Sequence, residues 1–354
     1  MRVIVVGPDG RNAKGGIASV MQGMREDEWL MQHTEMDFYS SYDGGSLLKK
    51  TLYGIWRILK FNFVVGKYDL VHIHMSVKGS AKRKMCYARI AKRHGKKVIL
   101  HIHSGNFVRY YQQLPSKKQK KLRECLQSAD RVLALSRRWK AAFEEKLGLH
   151  NCEELTNGLL LSRFPAQADP AAERPIDLLF LGRLGENKGT DNLLTVLARI
   201  RNEGTHFRCV LAGDGPVEEY KKKAHALGLG SELEFTGWVS GQQKLELLQQ
   251  SRTMALPSYY EGLPMSILEA MACSEAIVST PIGGIPEAVE NSVSGMLVQP
   301  GDVEHLYAAV SLLLRHPERA EEMGQRGREI AEEKYDLLRL HRRLYEIYCR
   351  VMGE

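Results

Sequence analysis

The sequence predicts an α/β protein built from two doubly wound, Rossmann-like parallel-sheet domains, on three observations. At 354 residues the chain is longer than one ordinary core accommodates and suggests two domains of roughly 150 residues each. Short apolar runs alternate with helix-periodic segments along its whole length, as parallel strands covered by helices on both faces require. Residues 162–175, with Pro165, Pro170 and Pro175 among Ala, Gln and Asp, break this alternation once and read as a linker.

Taken in order, the strand-like runs of the first half are residues 2–6, 36–39, 70–74, 98–101, 131–134 and 152–155. The first, inside Met1-Arg2-Val3-Ile4-Val5-Val6-Gly7, is expected to be a buried strand entering a glycine turn, too short for a signal peptide. In the second half the runs are 177–181, 207–212, 233–236, 253–256, 276–280 and 295–298. Residues 336–352 end the chain as a helix, with Leu337, Leu340, Leu344, Ile347 and Val351 at helical spacing.

A hydrophobic content of 44% supplies two cores, and no run of about 18 or more apolar residues is present to cross a bilayer. The six cysteines (86, 125, 152, 209, 273 and 349) lack metal-like spacing and are expected to be free thiols of a cytosolic protein. Charge is divided unevenly. Residues 1–165 carry 30 Lys and Arg against 14 Asp and Glu, whereas the rest carry 20 against 28. A field of one sign concentrates anionic partners, such as anionic lipid or a lipid pyrophosphate. Nucleic acid is not expected, because no recognition helix, RNP-like strand or zinc-finger spacing accompanies the charge.

The most informative stretch runs from Pro257 to Ala272 and holds two carboxylates, Glu261 and Glu269, separated by seven residues. The apolar run 253–256 precedes it, and Pro264 suits the first turn of a helix, so Glu261 falls on a loop and Glu269 one to two turns into that helix. The unpaired N–H groups and dipole of a helix start favour an anion there.

This segment resembles the E-x7-E signature of retaining, nucleotide-sugar-dependent glycosyltransferases of family 4, which have the GT-B fold of two domains facing across a cleft. Other pieces of that family's pattern occur in order: Gly15-Gly16, Gly182-Arg183-Leu184 with Lys188-Gly189, Ala212-Gly213-Asp214-Gly215-Pro216, Gly237-Trp238-Val239 and Gly283-Gly284-Ile285-Pro286-Glu287. The likeness spans nearly the whole chain and is strongest over residues 176–302. It departs from the pattern at Glu261-Gly262-Leu263-Pro264, where many members have the longer Glu-Gly-Phe-Gly-Leu-Pro. The resemblance implies an acceptor-binding domain over residues 1–165, a donor-binding domain over 166–335, and a terminal helix, 336–354, packing back on the first. It implies that Glu261 contacts the donor sugar and Glu269 the ribose hydroxyls, that His103 bonds the donor, and that Gly182, Gly213, Gly215, Trp238, Val239, Gly262, Leu263 and Pro264 shape the donor pocket. No metal and no cofactor are implied.

Residue chemistry agrees with transfer from a nucleoside diphosphate, whose departure needs cations aimed at the β-phosphate. Arg183 and Lys188 directly follow the run 177–181 and fall on the loop at its carboxyl end, where open α/β sheets bind ligands. Gly15 and Gly16 follow the first strand and let backbone approach a ligand. The preceding loop from Pro8 to Lys14 is too long for a dinucleotide fingerprint, and Lys14 and His74 are the acceptor candidates. His72 and His74, like His101 and His103, lie two apart at strand ends and share a face; His72 and His101 read as core. Over residues 46–66, Lys49, Lys50, Arg57 and Lys60 share one face opposite Leu48, Leu52, Ile55, Trp56, Leu59 and Phe63. Such a helix packs its apolar side on a sheet or lies in a membrane interface.

The sequence thus points to a cytoplasmic enzyme, peripheral on the inner face of the plasma membrane. It would move a sugar, without metal and with retention, to a lipid-linked saccharide of a surface polysaccharide. A soluble acceptor, a nucleotide-sugar epimerase of the same fold, and a non-enzymatic binding subunit are the rival readings. An epimerase would need an acid/base carboxylate set at the sugar carbon.

Overall fold

The computed structural model describes residues 1–8, 15–41, 47–165 and 174–354, with backbone only over 47–51. Its contacts divide the chain into two units, Met1–Gly158 with Leu337–Glu354, and Leu159–Asp336. Leu159 to Phe164 therefore belong with the second unit, ahead of the proline-rich stretch, of which residues 166–173 lie outside the described residues.

The first unit runs β1 (Arg2–Gly7), α1 (Gly16–Glu26), α2 (Glu28–His33), β2 (Glu35–Ser40), α3 (Leu47–Val64), β3 (Leu70–Met75), α4 (Gly79–Arg93), β4 (Lys97–Ile102), α5 (Phe107–Gln112), α6 (Ser116–Ser128), β5 (Arg131–Ala134), α7 (Arg137–Leu147) and β6 (Cys152–Glu154). The second runs β7 (Ile176–Leu181), α8 (Thr190–Asn202), β8 (Cys209–Ala212), α9 (Val217–Ala226), β9 (Leu233–Gly237), α10 (Gly241–Gln250), β10 (Ser251–Leu256), α11 (Met265–Ala272), β11 (Ala276–Ser279), α12 (Ile285–Ala288), β12 (Gly295–Leu297), α13 (Val303–Arg315) and α14 (Pro317–Lys334). The chain then returns to the first unit as α15 (Leu337–Met352).

Each apolar run read as a strand is one, with ends displaced by a residue or two. The strands pair in parallel, in the orders β2-β1-β3-β4-β5-β6 and β12-β11-β10-β7-β8-β9. Covering a parallel sheet on both faces buries successive residues alike, and every residue of β3 is buried. In each sheet the order reverses beside the first strand, between β1 and β3 and between β7 and β10. Crevices at the carboxyl ends of strands there are where doubly wound folds bind ligands.

Helix α15 sets one stripe, including Leu344, Ile347 and Tyr348, among Val3, Val5, Met21 and Leu30 of the first unit. Its polar anchors are equally internal: His341 Nδ1 lies 2.7 Å from Asp27 Oδ2, and Tyr348 Oη 2.7 Å from His72 Nδ1.

Helix α3 packs on a face that neither of its sequence patterns marks. Gly54 faces the Arg83 side chain of α4, and Phe61 fills the gap between Tyr39 and Tyr87 at centroid distances of 5.3 and 4.9 Å. Arg57 leaves the proposed basic face: its Nε donates to Ser40 O at 2.7 Å and its guanidinium lies 3.6 Å from the Tyr39 ring centre. The apolar face of Leu52, Ile55, Trp56, Leu59 and Phe63 stays exposed.

Candidate functional site

In the second unit the predicted residues converge on the carboxyl ends of β7 and β10. The chain leaves β7 through Gly182 and Arg183 into a 3-10 turn, Glu186–Lys188, and Gly189 starts α8. A Cβ on Gly189 would lie 2.1 Å from Pro257 O, so only glycine lets this turn press against the end of β10. Tyr259 N donating to Asn187 O at 2.9 Å ties the same two loops. This seam carries the side chains together: the Lys188 ammonium hydrogen-bonds Glu261 Oε1, which also accepts from Ser258 Oγ at 2.9 Å.

Glu261 is buried to 9% exposure, in a loop braced by Gly284 N donating to Gly262 O at 2.6 Å. Pro264 is the N-cap of α11 instead of a first-turn residue, and Glu269 follows within that helix. Burial pushes the Glu269 carboxyl upward, and Lys244 of α10, donating to Oε1 at 2.6 Å, opposes the shift. Each carboxylate of the pair therefore has its own amine. Lys244 is the partner that sequence reasoning missed.

Arg183 is not a free cation beside Lys188: it is exposed and pairs with Asp214 Oδ2 at 3.1 Å. The β8 loop reaches the same place, since a Cβ on Gly213 would lie 1.7 Å from Gly182 O and one on Gly215 2.6 Å from Leu184 O. Beyond β9, Trp238 is exposed at 42% and Val239 is buried. Leu263, in the loop that leads into α11, is buried as well.

The first unit holds the other candidates. Gly15 caps α1 with φ of 103°, a backbone that side chains resist, and Gly16 opens the helix; Lys14 lies outside the described residues. His103, half-buried after β4, places Nε2 2.8 Å from His74 Nδ1. His74, the acceptor candidate, is fully buried, and its Nδ1 is taken up by this contact with His103. His72 and His101 are core residues, as their pattern suggested. Burial, reinforced by neighbouring histidines, holds His72, His74 and His103 well below the ordinary imidazole range, and burial lowers His101 to about 4.

Nitrogens of His72, His74 and His101 come within 4.8 Å of one another. Tetrahedral binding at about 2.0–2.1 Å needs nitrogens about 3.4 Å apart. The His72 and His101 rings are stacked at 14°, which keeps their in-plane lone pairs from meeting at one ion. A cavity of about 20 Å³ beside the three histidines suits one water better. Lys84 of α4 is buried at the end of β1, where its ammonium donates to Val6 O at 3.5 Å and to Ser41 Oγ. Burial pushes its pKa well down.

Two doubly wound parallel-sheet units, the second carrying the lysine-paired E-x7-E segment, give the chain the GT-B fold. The chain resembles the family 4, group 1 glycosyltransferases: the model for "Glycosyltransferase Family 4" matches residues 18–162 and that for "Glycosyl transferases group 1" matches residues 164–330. Among characterised relatives it is similar to a Mycobacterium tuberculosis glycogen synthase, at 30% identity over 53% of this chain and 46% of that protein. It is also similar to the GDP-mannose-dependent alpha-(1-6)-phosphatidylinositol monomannoside mannosyltransferase of the same organism, at 31% identity over 61% of each chain. The chain thus spans about half the length of the relatives it matches first. In fold it is similar to Anabaena HepE in complex with UDP-glucose, with a TM-score of 0.79 and 17% identity over 99% of this chain and 100% of that one.

Proposed function

We propose that the protein is a retaining, metal-independent glycosyltransferase that moves a sugar from a nucleotide-sugar donor to a hydroxyl of a lipid-linked saccharide in surface-polysaccharide synthesis, working at the cytoplasmic face of an anionic membrane. The observation that carries this reading is the Lys188–Glu261 contact across the β7 and β10 loops, on either side of the point where strand order reverses. One relative is named for a GDP-mannose donor and a phosphatidylinositol mannoside acceptor, and a structural neighbour holds UDP-glucose, which supports a nucleotide sugar and a lipid-borne acceptor. Among the described residues no helix is long and apolar enough to cross a membrane, so membrane contact would be peripheral.

The roles proposed for Glu269, Glu261 and His103 are those the family resemblance implies for these residues. Glu269 accepts the ribose hydroxyls while Lys244 keeps its carboxylate charged. Glu261, fixed by Ser258, orients the sugar, and His103, supported by His74, bonds it from the first unit. Lys188 shifts from Glu261 toward the departing diphosphate as its charge develops, and Arg183 leaves Asp214 to join it with a planar, bidentate fork. The diphosphate then takes the acceptor proton on the face it leaves, so configuration is retained and no protein nucleophile is needed.

Lys188→Ala tests this. Loss of one preorganised cation is expected to lower turnover by about 10²-fold or more while the unfolding temperature holds, and wild-type activity should persist in EDTA. Full activity of the variant overturns the phosphate clamp, and loss of wild-type transfer in EDTA overturns metal independence.

A further inference from the structure

Among the described residues, the apolar face that α3 leaves open is not covered by any other element, and it has a defined shape. Leu52, Ile55, Trp56, Leu59 and Phe63 are 59, 53, 51, 61 and 83% exposed. At about 100° per residue they fall within an arc of about 100°, a single stripe along the helix. The opposite side, with Gly54, Phe61 and Val65, is already used by the core. A helix apolar on nearly all sides is normally enclosed, and an exposed stripe of five large side chains marks a contact surface.

Charge selects the occupant. Helix α3 contains Lys49, Lys50, Arg57 and Lys60 and no Asp or Glu. Lys60 sits at the edge of the stripe, its ammonium 5.2 Å from the Trp56 ring centre. Exposed Lys117, Lys118, Lys120 and Lys121 add to the same sign, and residues 1–165 hold 30 cationic against 14 anionic side chains. A second copy meeting this one through the same face would bring like charge to like charge. An anionic bilayer offers the opposite charge together with an apolar layer, and a tryptophan with basic flanks is the composition of a helix lying in that layer.

We infer that α3 is an interfacial membrane helix, with Leu52, Ile55, Trp56, Leu59 and Phe63 seated among the acyl chains of an anionic leaflet and Lys60 at the headgroups. This rests on the membrane reading above and changes its mechanism. Contact is made by the apolar stripe and strengthened by charge, so part of the binding survives salt that screens the lysines.

The test uses the full chain with vesicles of phosphatidylcholine, alone or mixed with phosphatidylglycerol, some carrying brominated acyl chains. Wild-type protein is expected to bind the mixed vesicles with bromine quenching of its fluorescence, and Trp56→Phe should remove most of that quenching. Leu59→Glu with Phe63→Glu, both at exposed positions, should weaken binding by about tenfold or more at an unchanged unfolding temperature. Undiminished binding by the double variant, or binding without quenching, overturns α3 insertion and leaves the membrane reading standing. Wild-type protein that binds neither vesicle overturns both. A dimer in sedimentation that the double variant dissociates, without vesicle binding, assigns the stripe to a second copy and overturns the proposal.

Discussion

Glu269, proposed above to hold the ribose, shows how closely a buried carboxylate depends on its partner. It is 5% exposed, burial disfavours its charge, and the Lys244 ammonium at 2.6 Å favours it. Without Lys244 the side chain would drift toward the neutral acid, a poorer acceptor for two ribose hydroxyls. Glu269→Gln keeps the shape and removes the charge, and charge-assisted bonds contribute about 1.5–3 kcal/mol each. The calorimetric Kd for a nucleoside diphosphate should therefore rise about tenfold or more. An unchanged Kd removes Glu269 from the ribose site. The sequence identified this carboxylate and not its amine, because Lys244 stands 25 residues away on another helix, as Asp214 stands 31 from Arg183 and Lys188 73 from Glu261. Spacing reports which residues share an element; partners from different elements are set by strand order.

At the scale of elements, the inner strands were legible because a parallel sheet buries their residues without alternation and leaves continuous apolar runs. The faces of α3 were not. Its stripe has the periodicity of a packing face, yet the side that meets the core is the one bearing Phe61, which packs between Tyr39 and Tyr87. Loop contacts are similarly hidden until the fold is known. Gly283 has φ of 58°, and a Cβ there would lie 2.2 Å from Glu261 O and 2.4 Å from Gly262 O. Gly283→Ala must push the Glu261 loop away as well as strain its own backbone, together costing about 2–4 kcal/mol. Gly204 has φ of 84° and nothing within 4 Å of its Cβ position. Gly204→Ala is expected to lose only about 1 kcal/mol with unchanged turnover, while Gly283→Ala loses more stability and about tenfold or more in kcat/KM. Equal activity of the two variants in a transfer assay would detach the loop packing from the site.

Across the whole molecule, the histidines make the first unit sensitive to acid. His72, His74, His101 and His103 run from β3 and β4 toward α15, and their ring centres lie as little as 4.1 Å apart. Burial keeps all four neutral in the folded chain, with His101 at about 4, whereas an unfolded histidine titrates near 6.5. Below that value the unfolded chain takes up protons that the fold refuses, so stability declines as pH drops and is unaffected by these groups above it. For His101 alone the loss approaches about 3 kcal/mol by pH 4, on the order of a quarter to a half of a domain's stability. The unfolding temperature is expected to stay level from about pH 8 to 6.5 and to fall steadily below, reported by a Trp29 signal from α2, which packs against α15 through Tyr345. Replacing His101 by Phe should make that acid slope shallower by about one proton's contribution whatever it does to stability at neutral pH. A slope identical to wild type between about pH 6.5 and 4 would show that His101 takes up its proton inside the fold, and that the cavity beside it accommodates the charge.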